Sequence, residues 1–168
     1  MNERKESTTS IILEYVRVIV LTVIATFIFL QFVQISRVNG SSMENTYFHN
    51  NIVLIDKVFY KHSQPKRNDI IIVDYDDGLD DTLIIKRVIA VGGDHLDIKN
   101  NEVYINGKKI KESYIKENMN TEDLSIDIPK GKVFVMGDNR NHSLDSRKLG
   151  YFDFDNDVIG KVFFKIPL

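Results

Sequence analysis

A mainly β chain carried by one amino-terminal transmembrane helix is the fold class this sequence predicts, on three observations. An uncharged apolar run ends at Ile35. Short segments rich in Val, Ile, Phe and Tyr fill most of the chain beyond it. Turn-forming residues separate those segments. Several short strands with little helix must fold over a shared core, so the expected architecture is a folded antiparallel β-sheet or partial barrel.

The first element is the anchor. Val18 to Ile35 reads VIVLTVIATFIFLQFVQI, with Thr22, Thr26, Gln31 and Gln34 as its only polar side chains. A bilayer core of roughly 30 Å needs about 20 helical residues, and Ile11 to Tyr15 extend the run to that length. Glu14 and Arg17, three apart near the interface, can neutralise each other. The run exceeds the roughly 7–15 residues of a cleaved signal's apolar region, and no Ala-x-Ala cleavage site follows it. It is apolar around its whole circumference, which argues against a core helix. Arg4, Lys5 and Arg17 precede it and only Arg37 follows closely, so residues 1–17 are expected on the cytoplasmic side. Residues 18–35 then form a single-pass anchor in the cell membrane, and residues 36–168 an extracytoplasmic β-domain.

Strands are expected at Ile52 to Phe59, Asp69 to Asp74, Thr82 to Val91, His95 to Lys99, Glu102 to Ile105, Lys132 to Met136 and Val158 to Lys165. Asn106-Gly107 marks a tight hairpin into the residues from Lys108, Asn100-Asn101 another reversal, and Gly92-Gly93 the end of the long strand. Leu83-Ile84-Ile85 and Val88 to Val91 are apolar at consecutive positions, the pattern of a strand covered on both faces. Asn118 to Asp127, polar and acidic, reads as a solvated loop.

Composition excludes several functions. Twenty-two Lys and Arg against twenty-four Asp and Glu give a net charge of −2, unlike the basic excess of a nucleic-acid binder. With no cysteine there is no disulfide, thiolate metal site or cysteine nucleophile. Four histidines without HxxxH spacing give no reason to expect a metal.

The chemistry-bearing residues fall in three places. Ser42 lies in Gly40-Ser41-Ser42-Met43-Glu44-Asn45-Thr46, just beyond the anchor, where a serine is held at the bilayer surface. A serine hydroxyl needs a base within reach to become a nucleophile. His142 and Asp145 share one loop, three apart, and do not readily align behind it. Lys86 lies within the apolar run Leu83 to Val91. Neighbouring strand residues face opposite ways, so of Lys86 and Arg87 one is expected at solvent and the other over buried surface. Burial lowers a lysine pKa and makes the amine a usable base. The alternative is two basic side chains snorkelling at a sheet edge. Gly137 to Gly150 (GDNRNHSLDSRKLG) is dense in hydrogen-bonding groups that can orient an amine.

Together these segments resemble the type I signal peptidases, the membrane-anchored Ser/Lys proteases that cut signal peptides from exported proteins. The family patterns Gly-x-Ser-Met-x-Pro-Thr, Lys-Arg-Val-x-x-x-x-Gly-Asp and Gly-Asp-Asn-Arg-x-x-Ser-x-Asp-Ser-Arg-x-x-Gly are met at Gly40 to Thr46, Lys86 to Asp94 and Gly137 to Gly150. Asn68 to Val73 also matches a family strand. The resemblance implies Ser42 as nucleophile and Lys86 as general base. It implies Ser143 as a hydrogen-bond partner of the amine and Asp145 with Arg147 as a bracing ion pair. Gly40, Met43, Leu83, Ile84 and Ile85 would bind substrate, with the Ser42 N–H in the oxyanion hole. It implies exported preproteins with small residues at −1 and −3 as substrates, the lipid bilayer and nearby secretion machinery as partners, and no cofactor. At 168 residues there is little room for the extra β-domain of larger relatives, as in the Gram-positive short form. Asn45 departs from the first pattern, where a proline is usual; Gly92 stands where a proline often precedes Gly-Asp, and Gly40 where some relatives carry a serine whose hydroxyl serves the oxyanion hole. Tyr47 and Phe48 are candidates for a lipid interface or for packing. Two rival readings stay open: a self-cleaving repressor-type Ser/Lys protease, which the span disfavours, and an anchored non-catalytic relative that binds secreted partners, which typically would have lost the serine or the lysine.

Overall fold

The apolar run becomes one helix, α1 (Thr8–Phe32), none of whose residues is buried. Its 25 residues span about 37 Å at 1.5 Å each, enough to cross a bilayer core. The computed structural model describes residues 8–76 and 81–167; Arg4 and Lys5, on which the expected orientation leans, lie outside the described residues. The helix stops at Phe32 rather than Ile35, because Val33-Gln34-Ile35-Ser36 alternates apolar and polar and, with Arg37, pairs as a strand, β1 (Val33–Arg37). Phe32 stacks on Phe59 with ring centroids 5.4 Å apart, and its carbonyl accepts from Lys57 N–H at 3.2 Å. The helix end is therefore fastened directly to the β-domain.

Ten further strands follow: β2 (Ile52–Asp56), β3 (Ile70–Asp76), β4 (Asp81–Val91), β5 (His95–Lys99), β6 (Glu102–Ile105), β7 (Lys108–Lys109), β8 (Leu124–Asp127), β9 (Lys132–Met136), β10 (Phe152–Asp153) and β11 (Val158–Ile166). A one-turn helix, α2 (Ser146–Leu149), lies between β9 and β10. The strands form two antiparallel sheets, in the orders β1-β2-β11-β3-β4-β9-β10 and β7-β6-β5-β8. Neither closes into a barrel. Both expected tight turns form: Asn100 and Asn101 (φ 52° and 64°) and Asn106 and Gly107 (φ 51° and 76°) supply the two positive φ values of a type I′ hairpin.

Part of the expected solvated loop is strand. Leu124 to Asp127 pairs with β5, and only residues 118–123 remain loop. Leu124 and Ile126 alternate with Ser125 and Asp127 and pack against the core between the sheets, so the period-2 pattern outweighs the acidity of the segment.

Three apolar clusters hold the domain, and β4 touches all of them. Ile85 packs with Ile70, Ile72, Val53, Ile55, Val38 and Met43 on one face. Val88 packs with Ile71, Val73, Val133, Val135 and Phe152 on the other. Ile89 and Ala90, beyond a bulge between Val88 and Ala90, join Leu96, Ile98 and Phe134 against the small sheet. A strand so enclosed can desolvate a charged side chain placed on it.

Candidate active site

Both basic residues of β4 are buried: Lys86 is 3% exposed and Arg87 8%. This corrects the expectation that one of them reaches solvent. They do face opposite sides, since Lys86 pairs across from Ile71 and Arg87 across from Ile70, but both faces of β4 are covered. The two charges are accommodated differently. Arg87 donates from Nε and Nη2 to Asp138 at 2.7 and 2.6 Å and lies 3.9 Å from the centre of the Tyr114 ring. Among the described residues, no carboxylate is in hydrogen-bond contact with Lys86. Its Nζ stands 2.9 Å from Ser42 Oγ and 3.0 Å from the Ile85 carbonyl oxygen. Burial pushes the amine from its usual 10.5 down to about 8, while the Asp145 carboxylate acts in the opposite sense.

Ser42 is delivered by a loop pinned along its length. The Ser42 carbonyl accepts from Asn139 N–H at 2.9 Å, and the Ser41 carbonyl from Asn139 Nδ2 at 3.1 Å. Thr46 Oγ1 donates to Asp138, which is fully buried and already holds Arg87. Asn45 adopts φ 93° and donates from Nδ2 to the carbonyls of Tyr114 and Ile115 at 3.1 and 3.3 Å. A proline, fixed near φ −65°, could not take this backbone; the asparagine secures the loop by hydrogen bonds instead. Gly40 also has positive φ, 94°, with open space where a side chain would begin, so backbone strain rather than crowding disfavours a serine there. Its N–H donates to His49 Nδ1 at 3.3 Å.

The third segment lies against the other two. Asp145 is buried; its carboxylate accepts from Gly137 N–H at 3.0 Å and from Arg147 Nε and Nη2 at 2.9 and 2.8 Å. Arg147 also donates to the Arg140 carbonyl at 2.6 Å. Arg140 is buried and donates to both oxygens of Glu112. Ser143 Oγ is buried and makes no hydrogen bond, so the contact with the Lys86 amine implied by the resemblance is not formed here. Ser143 nonetheless borders the site, because a β-carbon on Gly137 would fall 2.3 Å from Ser143 Oγ and 2.5 Å from the Ser42 carbonyl oxygen. His142 is exposed, and its loop neighbour Asp145 is engaged with Arg147.

Beside the Ser42–Lys86 pair lies a cleft of about 270 Å³. Ser36, Val38 and Asn39 form one wall, Leu83, Ile84 and Ile85 the other, with Val53 and Ile72 between. β1 pairs with β2 alone, and residues 81–86 of β4 pair with β3 alone, since β9 joins β4 only from Arg87 onward. Two strand edges without a neighbour thus border one cleft. Met43 and Gly40 do not line it. Met43 is 1% exposed and packs in the core with Val38 and Val53, so its contribution is to support the cleft wall from behind. Ser36, Val38 and Asn39 escaped sequence reasoning, because Val33 to Ile35 reads as the tail of the apolar helix. The alternation from Val33 to Arg37 was the available signal. Arg87, Asp138 and Asn139 sit inside the sequence motifs, but nothing in the sequence says that they clamp the Ser42 loop.

The model of the family described as signal peptidase, peptidase S26, matches residues 12–166. The chain belongs to that family. Signal peptidase I P of Bacillus subtilis subsp. natto is 33% identical over 95% of the chain and 91% of its own length. Signal peptidase I U of Bacillus subtilis (strain 168) is 37% identical over 73% of the chain and 70% of its own length. The crystal structure of a signal peptidase I from Enterococcus faecalis V583 superposes with a TM-score of 0.52 at 28% identity, covering 60% of this chain and 98% of that one. The frame of the site is therefore that of a serine protease family, and the exposed apolar helix fits membrane anchoring.

Proposed function

We propose that this membrane-anchored serine protease removes amino-terminal signal peptides from exported preproteins, with Ser42 as nucleophile and Lys86 as general base. One observation carries the assignment: a buried lysine amine with no carboxylate in hydrogen-bond contact lies 2.9 Å from a serine hydroxyl, next to an open strand edge. With its pKa near 8, about one Lys86 in ten is neutral at pH 7, against about one in three thousand at 10.5. The neutral amine accepts the Ser42 proton as Oγ bonds to the scissile carbonyl carbon. The tetrahedral intermediate places its oxyanion toward the Ser42 N–H. The lysine ammonium then gives its proton to the departing amine nitrogen, the C–N bond breaks, and an ester to Ser42 remains. Water loses a proton to Lys86, attacks the ester, and the proton returns to Ser42.

The substrate approaches as an extended segment adding to the edge of β4 at Leu83 to Ile85, with Ser36 to Asn39 opposite, a form of β-augmentation. The cleft's Ile and Val walls and small volume favour small residues at −1 and −3, because larger side chains have nowhere to go. Asp145 and Arg147 brace the Gly137 turn, and Ser143 comes within reach of the amine on substrate binding. Residues 1–17 face the cytoplasm and the β-domain lies outside, near the secretion machinery. Phe48, 52% exposed, meets the lipid interface, while Tyr47 packs against the core.

A processing assay with a preprotein in detergent tests this reading. Wild type cleaves, and Ser42→Ala and Lys86→Ala each lose activity by at least about a thousandfold. Equal cleavage by all three proteins removes the dyad. A wild type that cleaves no preprotein supports an anchored binding module instead.

A further inference from the structure

A second, larger cleft has Ser143 in its lining. It measures about 670 Å³ and is walled by two segments, one carrying Glu122 and Asp123, the other Arg140, Asn141, Arg147 and Lys148. Its two walls are cross-linked: Asn120 N–H donates to Asn141 Oδ1 at 2.8 Å, and Asn141 Nδ2 to the Asn118 carbonyl at 3.0 Å.

The path of a substrate leads there. A segment added to the edge of β4 along Leu83 to Lys86 is collinear with β9, which occupies the same edge from Arg87 to Val91. Past the Ser42–Lys86 pair the substrate therefore meets the end of β9 at Met136 and cannot continue along the sheet. It has to turn outward where the chain itself turns, at Gly137. Ser143 stands against Gly137, beside the Ser42 carbonyl, and also lines the larger cleft.

We infer that this cleft receives the first residues after the scissile bond, the start of the mature protein, and that its acidic wall favours a basic residue there. The inference rests on Ser42 and Lys86 being the reacting pair. The charge preference follows from which groups are free to act. Arg147 is paired with Asp145, and Asp123 accepts Asn100 N–H at 3.1 Å rather than a cation. Arg140, which also lines the cleft, is paired with Glu112. Of the charged groups in the lining, two carboxylates thus stand against Lys148 alone. The cleft has more than twice the volume of the one beside the pair. Selection before the cut is therefore by size and after it by charge.

Two measurements on the full chain in detergent decide this. The first compares peptides identical through residue −1 and carrying Lys or Glu at +2 to +4. Wild type cleaves the Lys peptide with a kcat/KM roughly threefold higher, the scale of one exposed ion pair, and Glu122→Lys together with Asp123→Lys inverts the ratio. Equal kcat/KM for both peptides in both proteins overturns the inference. The second uses Ser42→Ala, which binds without turning over, and a peptide with a photoreactive benzophenone at +3. Label confined to segments 118–124 and 141–148 supports the cleft; label confined elsewhere overturns it. If wild type cleaves neither peptide, the dyad fails, and the labelling pattern still decides where the downstream residues sit.

Discussion

At the scale of single residues, the consequential choice is a lysine inside β4 with no carboxylate in hydrogen-bond contact. Arg87 next to it shows what a buried cation normally requires: a two-pronged ion pair with Asp138 and an aromatic face. Lys86 has a hydroxyl and a carbonyl instead, so folding confines it at a cost. Its folded pKa, about 8 against 10.5 for the ordinary side chain, fixes the sign. Below pH 8 both states are protonated and the cost is full. Between 8 and 10.5 the unfolded chain binds more protons, so the cost fades as pH rises. Lys86→Met, similar in length and uncharged, is thus expected to raise unfolding free energy at pH 7 by on the order of 2–3 kcal/mol while abolishing cleavage. Denaturant titrations at pH 7 and pH 10 measure it, with the gain shrinking at the higher pH; no gain at pH 7 means that the amine is not desolvated. The motif pieces were legible in the sequence, because Ser42, Lys86, Asp145 and Arg147 occupy recognisable spacings. Burial on both faces of β4 was not, since alternation alone says only that two neighbours part company. Nor was the clamp of Asp138 and Asn139 on the Ser42 loop, which spans more than ninety residues of sequence.

At the scale of elements, the site is where β9 ends and releases the edge of β4. Gly137 makes that ending possible, since a β-carbon there would strike the Ser143 hydroxyl and the Ser42 carbonyl. Gly137→Ala must push the nucleophile loop and the Ser143 turn apart. The expected result is a loss of about 1–3 kcal/mol in stability from overpacking and a fall of about a hundredfold in kcat from displacing the hydroxyl by about an ångström. Thermal unfolding and steady-state kinetics measure the two separately; unchanged kcat says that the close approach does not position Ser42. The long strands, the two Asn-led hairpins and the end of β4 at Gly92 were legible, because each has a strong local signal. β1 and β8 were not. Val33 to Ile35 continues the hydrophobicity of the helix before it, and Leu124 to Asp127 is half acidic, so in each case a compositional cue masked a period of two. Those two strands carry an edge of the first cleft and the base of the second cleft's acidic wall.

At the scale of the whole molecule, the helix and the cleft beside the Ser42–Lys86 pair are mechanically joined. α1 runs without a linker into β1, and Phe32 is held by Phe59 and Lys57. Ser36 to Asn39, at the other end of β1, form a wall of the cleft. With Ser42 and Lys86 as the proposed reacting pair, the distance between bilayer and scissile bond is set by one short strand. Removing residues up to Leu30, which leaves Phe32 in place, is expected to move the protein from the membrane to the soluble fraction on centrifugation and to leave cleavage of a short peptide within about threefold; retention in the membrane fraction means that the exposed face of the β-domain binds lipid by itself. The dependence of kcat/KM on pH tests the central claim most directly. With Lys86 as the base, activity toward a signal peptide rises tenfold per pH unit below the amine's pKa and levels off near pH 8, and Ser42→Ala shows no activity at any pH. A rate that peaks below pH 6 and falls through neutrality contradicts a lysine base and returns the mechanism to another group.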